Sequence, residues 1–570
     1  MKEEKVSRMY KNKPKVLVIG LDAGTWKALR PLIDEGVMPN LKNLLEKGVS
    51  GDLLSTIPAH SGPAWTSFMT GKNPGKHGIF GFTKLAINGK AKIKISSSKD
   101  IKSETIFQIL NKANKTAVSV NLPFTYPPFK VNGAMVSDAI LTPSKDSNFT
   151  YPADLFEKVG YDKKDYILNV RSGYYYEGEE LDLLRALSES TDKRAEFALR
   201  LMNKINWDLF LVVFTETDKL QHKLFHYVDP SHPFYNDKFK SLINDFFAKL
   251  DKIIFSLIDK AGMDTNILIV SDHGFGPIKG TIYINYLLRR LGLLRIKEKW
   301  LRRLYMDFRK DLISFLNRKS SLYRNIKKLI KSILNSSNEN RAPQDYMKTK
   351  AVLLVTNFVS SIDWSKTNAY FAGNTASAIY INSQDNSHNG LGIHEKGKEK
   401  NMIIRELKEI QDSVTKTFLN LKVHRKEDIY HGPCLDLAPD LVLDSNSGYK
   451  FGRDPYSGKL FHKENRASSD HYREGILVMC GNNIKENKTI ENASIMDIAP
   501  TILYFLGLAV PTDMDGKVLK DGIKSEFLKR NPILFQESNN AESKEEILDT
   551  VYSREDDNEI KLRLADLGYI

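Results

Sequence analysis

The feature that most constrains the fold is a set of short apolar runs that end abruptly on acidic or imidazole side chains. In NILIVSDHGFG (residues 266–276) the apolar run stops at Asp272 and His273. KVLVIGLDAG (residues 15–24) ends in the same way at Asp22, and DLFLVVFTETD (residues 208–218) ends at Asp218. Continuous runs of this kind are typical of strands that are covered on both faces, as in a parallel sheet.

Two further runs, TAVSVNLP (residues 116–123) and GILVMCG (residues 475–481), are also candidate strands. Between the strands lie amphipathic patterns that predict helices. MPNLKNLLEKG and FKSLINDFFAKLDKIIFSLIDKAG are two of them, and each is closed by a glycine. Because strands and helices alternate along the chain, the sequence predicts a doubly wound α/β fold with a mostly parallel sheet.

A chain of 570 residues is too long for one ordinary core, so we expect a large domain that carries an insertion. We assign residues 12–286 and 346–525 to a discontinuous main domain, 287–345 to a basic helical insertion or cap, and 526–570 to a polar, loosely attached tail. Residues 286–341 contain 16 Lys or Arg against four Asp or Glu, so most of the net charge of +14 lies there. The insertion is either a solvated cap or a surface for peripheral contact with an anionic membrane or polyanion.

Composition excludes several classes of protein. Two cysteines, far apart in the sequence, are too few for a disulfide framework or a thiolate metal cage, and they suggest a reducing compartment. The first 15 residues lack the apolar core of a signal peptide, and no apolar run is long enough to span a bilayer. No nucleic-acid-binding motif is present, so dedicated DNA or RNA binding is not expected. We therefore expect a cytoplasmic protein that is at most peripheral to a membrane, of unknown oligomeric state.

Four strand-associated segments carry Asp or His where open α/β sheets bind their ligands, at the carboxyl ends of strands. The candidate residues are Asp22, Asp218, His222, Asp272, His273 and, in SSDHYREG, His471. Asp218 and His222 are spaced by one helical turn and so share a helix face. Asp and His are the oxygen and nitrogen ligands of zinc- or manganese-type sites, and a set of this size suffices for two ions that share a substrate.

A candidate nucleophile lies in STIPAHSGPAWTSFMTGKNPGKHGIFGF (residues 55–82). Ser61 precedes Gly62 and Pro63, and PAWTSFMTG predicts a short helix with Pro63 in its first turn. A hydroxyl at a helix N-terminus lies beside free backbone N–H groups, which suit an incoming phosphate. A metal ion next to the same oxygen would lower its pKa and make it an attacking group.

The order of these candidate residues along the chain resembles that of the alkaline phosphatase superfamily, and more narrowly that of its type I phosphodiesterase/nucleotide pyrophosphatase branch. NLPFTYPP, APDLVL and SIMDIAPTILYFLGLAVPTDMDGKVL also look like that group, and the resemblance covers residues 15–285 and 360–520. It implies an alkaline phosphatase-like metal-dependent catalytic domain with two divalent ions, Zn²⁺ in the first place and Mn²⁺ as the alternative. Carried over by residue, it implies one ion held by Asp218, His222 and His471, and a second held by Asp22, Asp272, His273 and the Ser61 oxygen.

The resemblance further implies a hydrolase in which Ser61 attacks the phosphorus of a phosphate ester or phosphodiester. The substrate class is a small molecule, a glycan or a lipid headgroup. Phosphodiesterase relatives commonly have threonine where this chain has Ser61, which weakens the inference about diesters. The sulfatase signature is not matched, because GPAW follows Ser61. Two alternatives stay open: a phosphomutase or phosphotransferase of the same superfamily, and a catalytically silent protein that binds anionic membranes.

Three more residues are candidates for contact with the substrate or for support of the ligands. His77 in GKHGIF is either structural or close to the substrate. Arg171 in NVRSGYYYEG either contacts a leaving group or packs against its neighbours. Asp470, next to His471, is expected to support that imidazole or to be a loop residue rather than to bind an ion itself.

Overall fold

The fold is taken from a computed structural model of the chain, which describes residues 15–88, 90–170, 178–297, 361–373, 377–381, 396–412, 415–444, 448–465, 467–538 and 551–567. Arg171 and residues 298–345 of the predicted basic insertion lie outside the described residues. Among the described helices, none combines the length and the apolar character that crossing a bilayer requires.

The described strands and helices alternate through most of the chain. The strands are β1 (Lys15–Leu21), β2 (Val49–Leu54), β3 (Thr83–Asn88), β4 (Lys90–Ile95), β5 (Ala117–Leu122), β6 (Gly133–Ser137), β7 (Thr150–Tyr151), β8 (Leu209–Phe214), β9 (Thr265–Val270), β10 (Gly274–Pro277), β11 (Gly280–Tyr283), β12 (Ala369–Phe371), β13 (Ala378–Ile381), β14 (Lys422–Arg425), β15 (Leu441–Asp444), β16 (Tyr449–Gly452), β17 (Phe461–Lys463), β18 (Ser469–Tyr472), β19 (Glu474–Cys480), β20 (Lys488–Ser494), β21 (Val510–Pro511) and β22 (Phe535–Gln536). The α-helices are α1 (Trp26–Asp34), α2 (Pro39–Lys47), α3 (Ser61–Thr70), α4 (Pro74–His77), α5 (Ile106–Lys112), α6 (Leu155–Lys158), α7 (Glu180–Lys204), α8 (Glu216–Val228), α9 (Lys240–Ala261), α10 (Ile284–Arg290), α11 (Lys396–Lys408), α12 (Lys426–Ile429), α13 (Ile498–Phe505), α14 (Ser525–Arg530) and α15 (Arg554–Asp566).

A large sheet forms the centre of the main domain. Within the described residues it has nine strands in the order β20-β2-β19-β9-β1-β8-β5-β6-β7. The neighbours β9, β1, β8, β5 and β6 are all parallel to one another, so their carboxyl ends lie on one edge of the sheet. The predicted α/β fold with a mostly parallel sheet is therefore confirmed.

Helices cover both faces of this sheet. Successive residues of β1 point to opposite faces, so that Leu17 and Ile19 join one apolar core while Val16 and Val18 join the other. The first core also receives side chains from α1, α2, α7, α8 and α9, and the second from α3, α5, α13 and α15. Because both faces are buried, the central strands are apolar at nearly every position rather than at alternate ones.

One of the five strands predicted from the sequence is antiparallel to its neighbours in the sheet. β19 comes from GILVMCG, whose apolar character matches the other central strands, but it is antiparallel to both β2 and β9. Burial on both faces selects apolar side chains whatever the direction of the strand. The composition of the run therefore predicts that it is central and leaves its direction open.

A second lobe consists of the described residues between 280 and 465. One of its sheets has the order β16-β11-β17, and the other has the order β12-β13-β15-β14. Leu287, Leu288, Leu293 and Leu294 are buried in the core of this lobe together with Phe371. The first residues of the predicted insertion thus belong to the lobe, and its remaining helical part is still a prediction.

The C-terminal tail is anchored rather than loose. Ser553 and Asp556 form a reciprocal capping box that starts α15. Ile560 and Leu564, one helical turn apart, are fully buried in the second core of the main domain, and Leu567 is buried beside them. The expectation of a loosely attached terminus is wrong for this helix, because two apolar positions spaced by four residues suffice to dock an otherwise polar segment.

Candidate active site

Three adjacent parallel strands deliver three aspartates to one edge of the sheet. β9, β1 and β8 are neighbours, and their carboxyl ends lead into Asp272, Asp22 and the first turn of α8 with Asp218. The side chains are buried: Asp272 is 0%, Asp22 1% and Asp218 4% exposed. Three acids gathered in the interior need partners for their charge, so this edge is the place to look for a ligand.

The residues of the first predicted ligand set lie together. His222 Nε2 is 3.3 Å from Asp218 Oδ1, because the two residues are one turn apart on α8. His471 Nε2 is 3.6 Å from the same oxygen and 3.0 Å from His222 Nε2. His471 reaches this position on β18, which pairs with β10 so that His471 lies opposite Phe275. His462, the histidine that precedes His471 in the sequence, is exposed on β17.

The residues of the second predicted set also lie together. His273 Nε2 is 3.3 Å from Asp272 Oδ2 and 4.0 Å from Asp22 Oδ1. The Ser61 Oγ atom is 3.1 Å from the same ring nitrogen. Ser61 is fully buried and is the first residue of the ten-residue helix α3, so its hydroxyl lies at the positive end of the helix dipole.

The two sets form one continuous cluster. The rings of His273 and His471 stack with centroids 3.8 Å apart. Donor atoms close enough to hold one ion are found in two groups that share a histidine, Asp218 with His273 and His471, and Asp22 with Asp272 and His273. His273 therefore lies between the two groups, and the geometry alone leaves open which ion it would bind.

Backbone carbonyls orient two of the imidazoles. His471 Nδ1 is 3.3 Å from the Ala59 carbonyl oxygen, and His273 Nδ1 is 3.0 Å from the Gly274 carbonyl oxygen. A carbonyl oxygen only accepts hydrogen bonds, so each Nδ1 carries a proton, and in the neutral ring each Nε2 has the electron pair that can bind an ion. This is the arrangement that metal-ligating histidines usually show.

The three carboxylates are compensated to different extents: against the effect of burial, His222 and His471 hold the pKa of Asp218 well below its usual value. Asp22 Oδ1, Asp218 Oδ1 and Asp272 Oδ2 accept no hydrogen bond from any residue that the structure describes. Burial, and then the charges of Asp272 and Asp218, raise the pKa of Asp22 well above its usual value. Burial also lowers the pKa of His273 to about 4, so this imidazole is neutral near pH 7. Unsatisfied carboxylate oxygens beside imidazole nitrogens fit a divalent cation of the zinc or manganese type.

The backbone beside the cluster is strained. Ala23 has a φ of 59°, in the left-handed region that residues with a Cβ rarely adopt. In this conformation the Ala23 N–H donates to Asp272 Oδ1 over 3.2 Å, and the Ala23 carbonyl accepts from Gln221 Nε2 over 2.8 Å. Strain of this kind is typical of functional sites, where the surrounding contacts hold an unfavourable conformation in place.

The remaining predicted residues have different positions. His77 is fully buried at the end of α4, with Nε2 3.0 Å from Ser67 Oγ of α3, and contacts none of the predicted ligands in the described hydrogen bonds. Asp470 Oδ1 accepts from the His471 N–H over 2.9 Å, and its other oxygen lies 3.9 Å from Lys450 Nζ. Asp470 thus bonds to the backbone of His471, and its predicted support of the imidazole stays a prediction.

His60 is a residue of this region that sequence reasoning missed. It is 3% exposed, it precedes Ser61, and its Nδ1 accepts from the Gly62 N–H over 3.4 Å as the N-cap of α3. Its ring centroid lies 6.1 Å from that of His471. The signal in the sequence is its position one residue before the predicted nucleophile, where a polar cap of the helix is expected.

Comparison with known proteins gives a family and a fold. The family model described as type I phosphodiesterase / nucleotide pyrophosphatase matches residues 16–352. Phosphonoacetate hydrolase from Sinorhizobium meliloti 1021, in complex with phosphonoformate, is similar with a TM-score of 0.51 and 16% identity, over 87% of this chain and 95% of that chain. Human ectonucleotide pyrophosphatase / phosphodiesterase 5 gives a TM-score of 0.48 and 14% identity, over 90% of this chain and 100% of that chain. A search of the curated proteins returns no match.

Proposed function

Since the chain belongs to the type I phosphodiesterase / nucleotide pyrophosphatase family, a group of phosphoester hydrolases within the alkaline phosphatase superfamily, we propose that Ser61 is its nucleophile and that two divalent ions complete its site. The observation that carries the proposal is the position of Ser61 Oγ, 3.1 Å from His273 Nε2 and in the same buried cluster as three carboxylate oxygens that accept no described hydrogen bond.

The two predicted ligand sets define where the ions would bind. Asp218, His222 and His471 would hold one ion, and Asp22, Asp272 and His273 would hold the other beside Ser61 Oγ. We favour zinc, with manganese as the alternative, because both accept mixed oxygen and nitrogen ligands. When bound, the ions supply the positive charge that lowers the pKa of the serine hydroxyl and offsets the negative charge of the phosphate oxygens.

The chain's own groups then account for the reaction. Ser61 loses its hydroxyl proton to solvent, and Oγ forms a bond to phosphorus while the bond from phosphorus to the leaving oxygen breaks. The leaving oxygen takes a proton from solvent. Water then attacks the phosphorylated serine, the bond from phosphorus to Oγ breaks, and Ser61 regains a proton. Ser61 lies at the positive end of the α3 dipole, which favours the negative charge of the phosphoryl group on Oγ.

The substrate that we propose is a phosphate ester or phosphodiester of a small molecule, a glycan or a lipid headgroup. The same phosphoserine would also form in a phosphomutase, which returns the phosphate to its substrate instead of to water. Release of inorganic phosphate or of a phosphomonoester into solution distinguishes hydrolysis from such a transfer.

The test combines metal content with hydrolysis of p-nitrophenyl phosphate and bis(p-nitrophenyl) phosphate. We expect about two divalent ions per chain in the purified protein. Ser61→Ala should keep the fold and most of the metal but lose at least about 10³-fold in rate, because the covalent step has no nucleophile. Ser67→Ala is the matched control, since this buried serine of the same helix contacts His77 rather than the cluster. A Ser61→Ala variant that retains the wild-type rate on both compounds would remove Ser61 from the mechanism.

A further inference from the structure

The C-terminal helix α15 contacts the sheet edge that carries the candidate site. Arg563, on this helix, is 5% exposed. Its Nη1 lies within hydrogen-bond distance of the carbonyl oxygens of Ala139 (2.7 Å), Ile140 (2.9 Å) and Thr142 (2.6 Å), so one of its two N–H groups is shared between two acceptors. Its Nη2 donates to the Pro143 carbonyl oxygen over 3.0 Å. A single guanidinium thus hydrogen-bonds to four carbonyl oxygens of one loop, which requires a planar group with several N–H donors.

This loop, residues 138–143, directly follows β6 at the carboxyl edge of the sheet. The carboxylate of Asp138, the first residue of the loop, binds backbone N–H groups. Asp138 Oδ1 accepts from the N–H groups of Ile140 over 2.9 Å and Leu141 over 2.7 Å, and Oδ2 accepts from the Thr125 N–H over 3.1 Å. The carbonyls of the loop therefore bond to α15, and the N–H groups of Ile140 and Leu141 bond to Asp138, which the Thr125 N–H ties to the main domain.

One residue links the 138–143 loop to the next strands. Asn121 lies at an irregularity in the pairing of β5 with β6 and has a φ of 63°. A bulge re-aims a side chain, and asparagine tolerates the left-handed conformation better than most residues. Asn121 Oδ1 accepts from the Ala139 N–H over 2.8 Å, and Asn121 Nδ2 donates to the Val213 carbonyl over 2.9 Å and approaches Thr215 Oγ1 at 3.3 Å.

The last link reaches the candidate ligands. Thr215 is the N-cap residue of α8, whose first turn carries Asp218. In the same turn, Thr217 Oγ1 donates to the Asp22 carbonyl oxygen over 2.6 Å. Hydrogen bonds thus run without interruption from Arg563 through Ala139 and Asn121 to the start of the helix that carries Asp218.

We propose that Arg563 is a positioning residue for the ion site of Asp218, His222 and His471, and that α15 is part of the catalytic unit; this inference rests on the proposed function. Without the guanidinium, four buried carbonyls lose their donor, and the 138–143 loop must shift to satisfy them. The shift reaches Thr215 through Asn121 and displaces the start of α8. Because metal ligands tolerate little displacement, loss of a residue that supports them costs about 10- to 100-fold in affinity for the ion.

The test measures Zn²⁺ affinity of the metal-stripped full-length protein by competition with a chromophoric chelator, together with kcat and KM. Arg563→Met should weaken one of the two Zn²⁺ sites by about 10- to 100-fold and lower kcat by a similar factor, with KM nearly unchanged. Arg563→Lys should lose less, about 10-fold, because an ammonium group has fewer donors than the loop has carbonyls. Circular dichroism at the assay temperature shows that each variant is folded.

Lys561→Met is the matched control. Lys561 is a buried cationic side chain of the same helix, but the structure gives its ammonium one partner, Asp557 in α15 itself. Its loss should lower the melting temperature without changing Zn²⁺ affinity or kcat beyond about twofold. A purely structural role of α15 would move the melting temperature for both lysine and arginine variants and leave the affinity of folded protein unchanged.

Three outcomes overturn the inference. The first is wild-type Zn²⁺ affinity in folded Arg563→Met. The second is an equal loss of affinity in Lys561→Met. If neither arginine variant folds, Asn121→Asp decides, since it keeps the acceptor for Ala139 and removes the donor toward Val213 and Thr215. Wild-type affinity in that variant is the third such outcome. Failure of the wild-type protein to bind Zn²⁺ would instead count against the proposed function.

Discussion

Two buried charged clusters lie side by side at the start of α8, and they differ in how their charges are satisfied. Glu216 belongs to the first. Arg194 Nη2 donates to Glu216 Oε1 over 2.8 Å, and Ser190 Oγ donates to the same oxygen over 2.6 Å. Arg194 Nη1 also donates to the Tyr166 hydroxyl over 2.9 Å. Both charged side chains are fully buried, and Arg194 lowers the pKa of Glu216 despite the opposing effect of burial.

The second cluster begins two residues later with Asp218. Together with Asp22 and Asp272 it has three oxygens that accept no hydrogen bond from the described residues. Here burial and mutual repulsion raise the pKa of Asp22. Since a buried charge without a partner costs several kcal/mol, such a cluster either takes up a proton, as the raised pKa of Asp22 indicates, or binds a cation. A buried cluster whose charges are paired within the chain (a complete cluster) indicates a structural role. A buried cluster with carboxylate oxygens that lack a described partner (an incomplete cluster) indicates a binding site for a ligand.

The largest expected effect separates activity from stability. Asp272→Asn should lower the rate of phosphoester hydrolysis by about 10⁴-fold, because the site loses an ion ligand. The metal-free protein should nevertheless become more stable, by about 1 kcal/mol, since a buried negative charge that repels Asp22 is removed while an oxygen for the Ala23 N–H is kept. Hydrolysis assays and urea unfolding with a chelator measure the two effects.

Asp251→Asn is the matched control for a buried acid outside the site. Asp251 is 1% exposed and accepts from the N–H of Asn40 over 3.0 Å and of Leu41 over 2.8 Å, at the start of α2. Its substitution should destabilise the protein by about 1 kcal/mol and leave the metal content unchanged. A loss of stability in metal-free Asp272→Asn as large as in Asp251→Asn would contradict the distinction between the two clusters.

The second expected effect falls on the complete cluster. Glu216→Gln should lower the free energy of unfolding by about 3–5 kcal/mol, because it leaves the buried guanidinium of Arg194 without its counter-charge. The folded variant should still bind the full complement of ions. Urea unfolding in the presence of a chelator gives the first quantity, and metal analysis of the native protein gives the second. An unchanged unfolding free energy would mean that the Arg194–Glu216 pair contributes little to stability.

The third effect is the response to metal itself. Zn²⁺ at about 100 times the dissociation constant should raise the free energy of unfolding by about 2.7 kcal/mol for each site that it fills. In Glu216→Gln, Zn²⁺ should raise the free energy of unfolding by the same amount as in the wild type, although the metal-free variant is less stable. In Asp272→Asn, the contribution of one Zn²⁺ site should be lost. Thermal unfolding at increasing Zn²⁺ concentration measures it. Equal increments in the wild type and Asp272→Asn would place the ions elsewhere.

The sequence predicts more of the incomplete cluster than of the contacts that support it. Asp22 and Asp272 follow apolar runs, and the rule that carboxyl ends of parallel strands share an edge is enough to bring them together. The direction of β19 could not be predicted, because burial on both faces selects the same residues in either direction. The left-handed Asn121 and the contact of Arg563 with the 138–143 loop depend on the pairing of distant segments, which leaves no periodic pattern in the sequence.

The smallest expected effect concerns His77, a buried imidazole whose hydrogen bonds are made by the neutral ring. The Ile79 N–H donates to its Nδ1 over 3.2 Å, so Nε2 carries the proton toward Ser67 Oγ. Burial lowers the pKa of His77 to about 3, from 6.5 for an unburied imidazole. Since the folded pKa lies below the unfolded one, the contribution to stability is complete above pH 6.5 and is lost as the pH falls toward 3.

Between pH 8 and pH 5 this titration should lower the free energy of unfolding by about 2 kcal/mol, at 1.36 kcal/mol per pH unit. His77→Gln keeps a donor for Ser67 but has no titrating proton, so the pH dependence of the variant should be smaller than that of the wild type by the same amount. Urea unfolding of both metal-free proteins at the two pH values measures the difference, in which the contributions of the site histidines cancel. If the free energies of unfolding of the two proteins change equally with pH, the His77 imidazole accepts a proton in the folded protein. Its hydrogen bonds then do not keep the ring neutral.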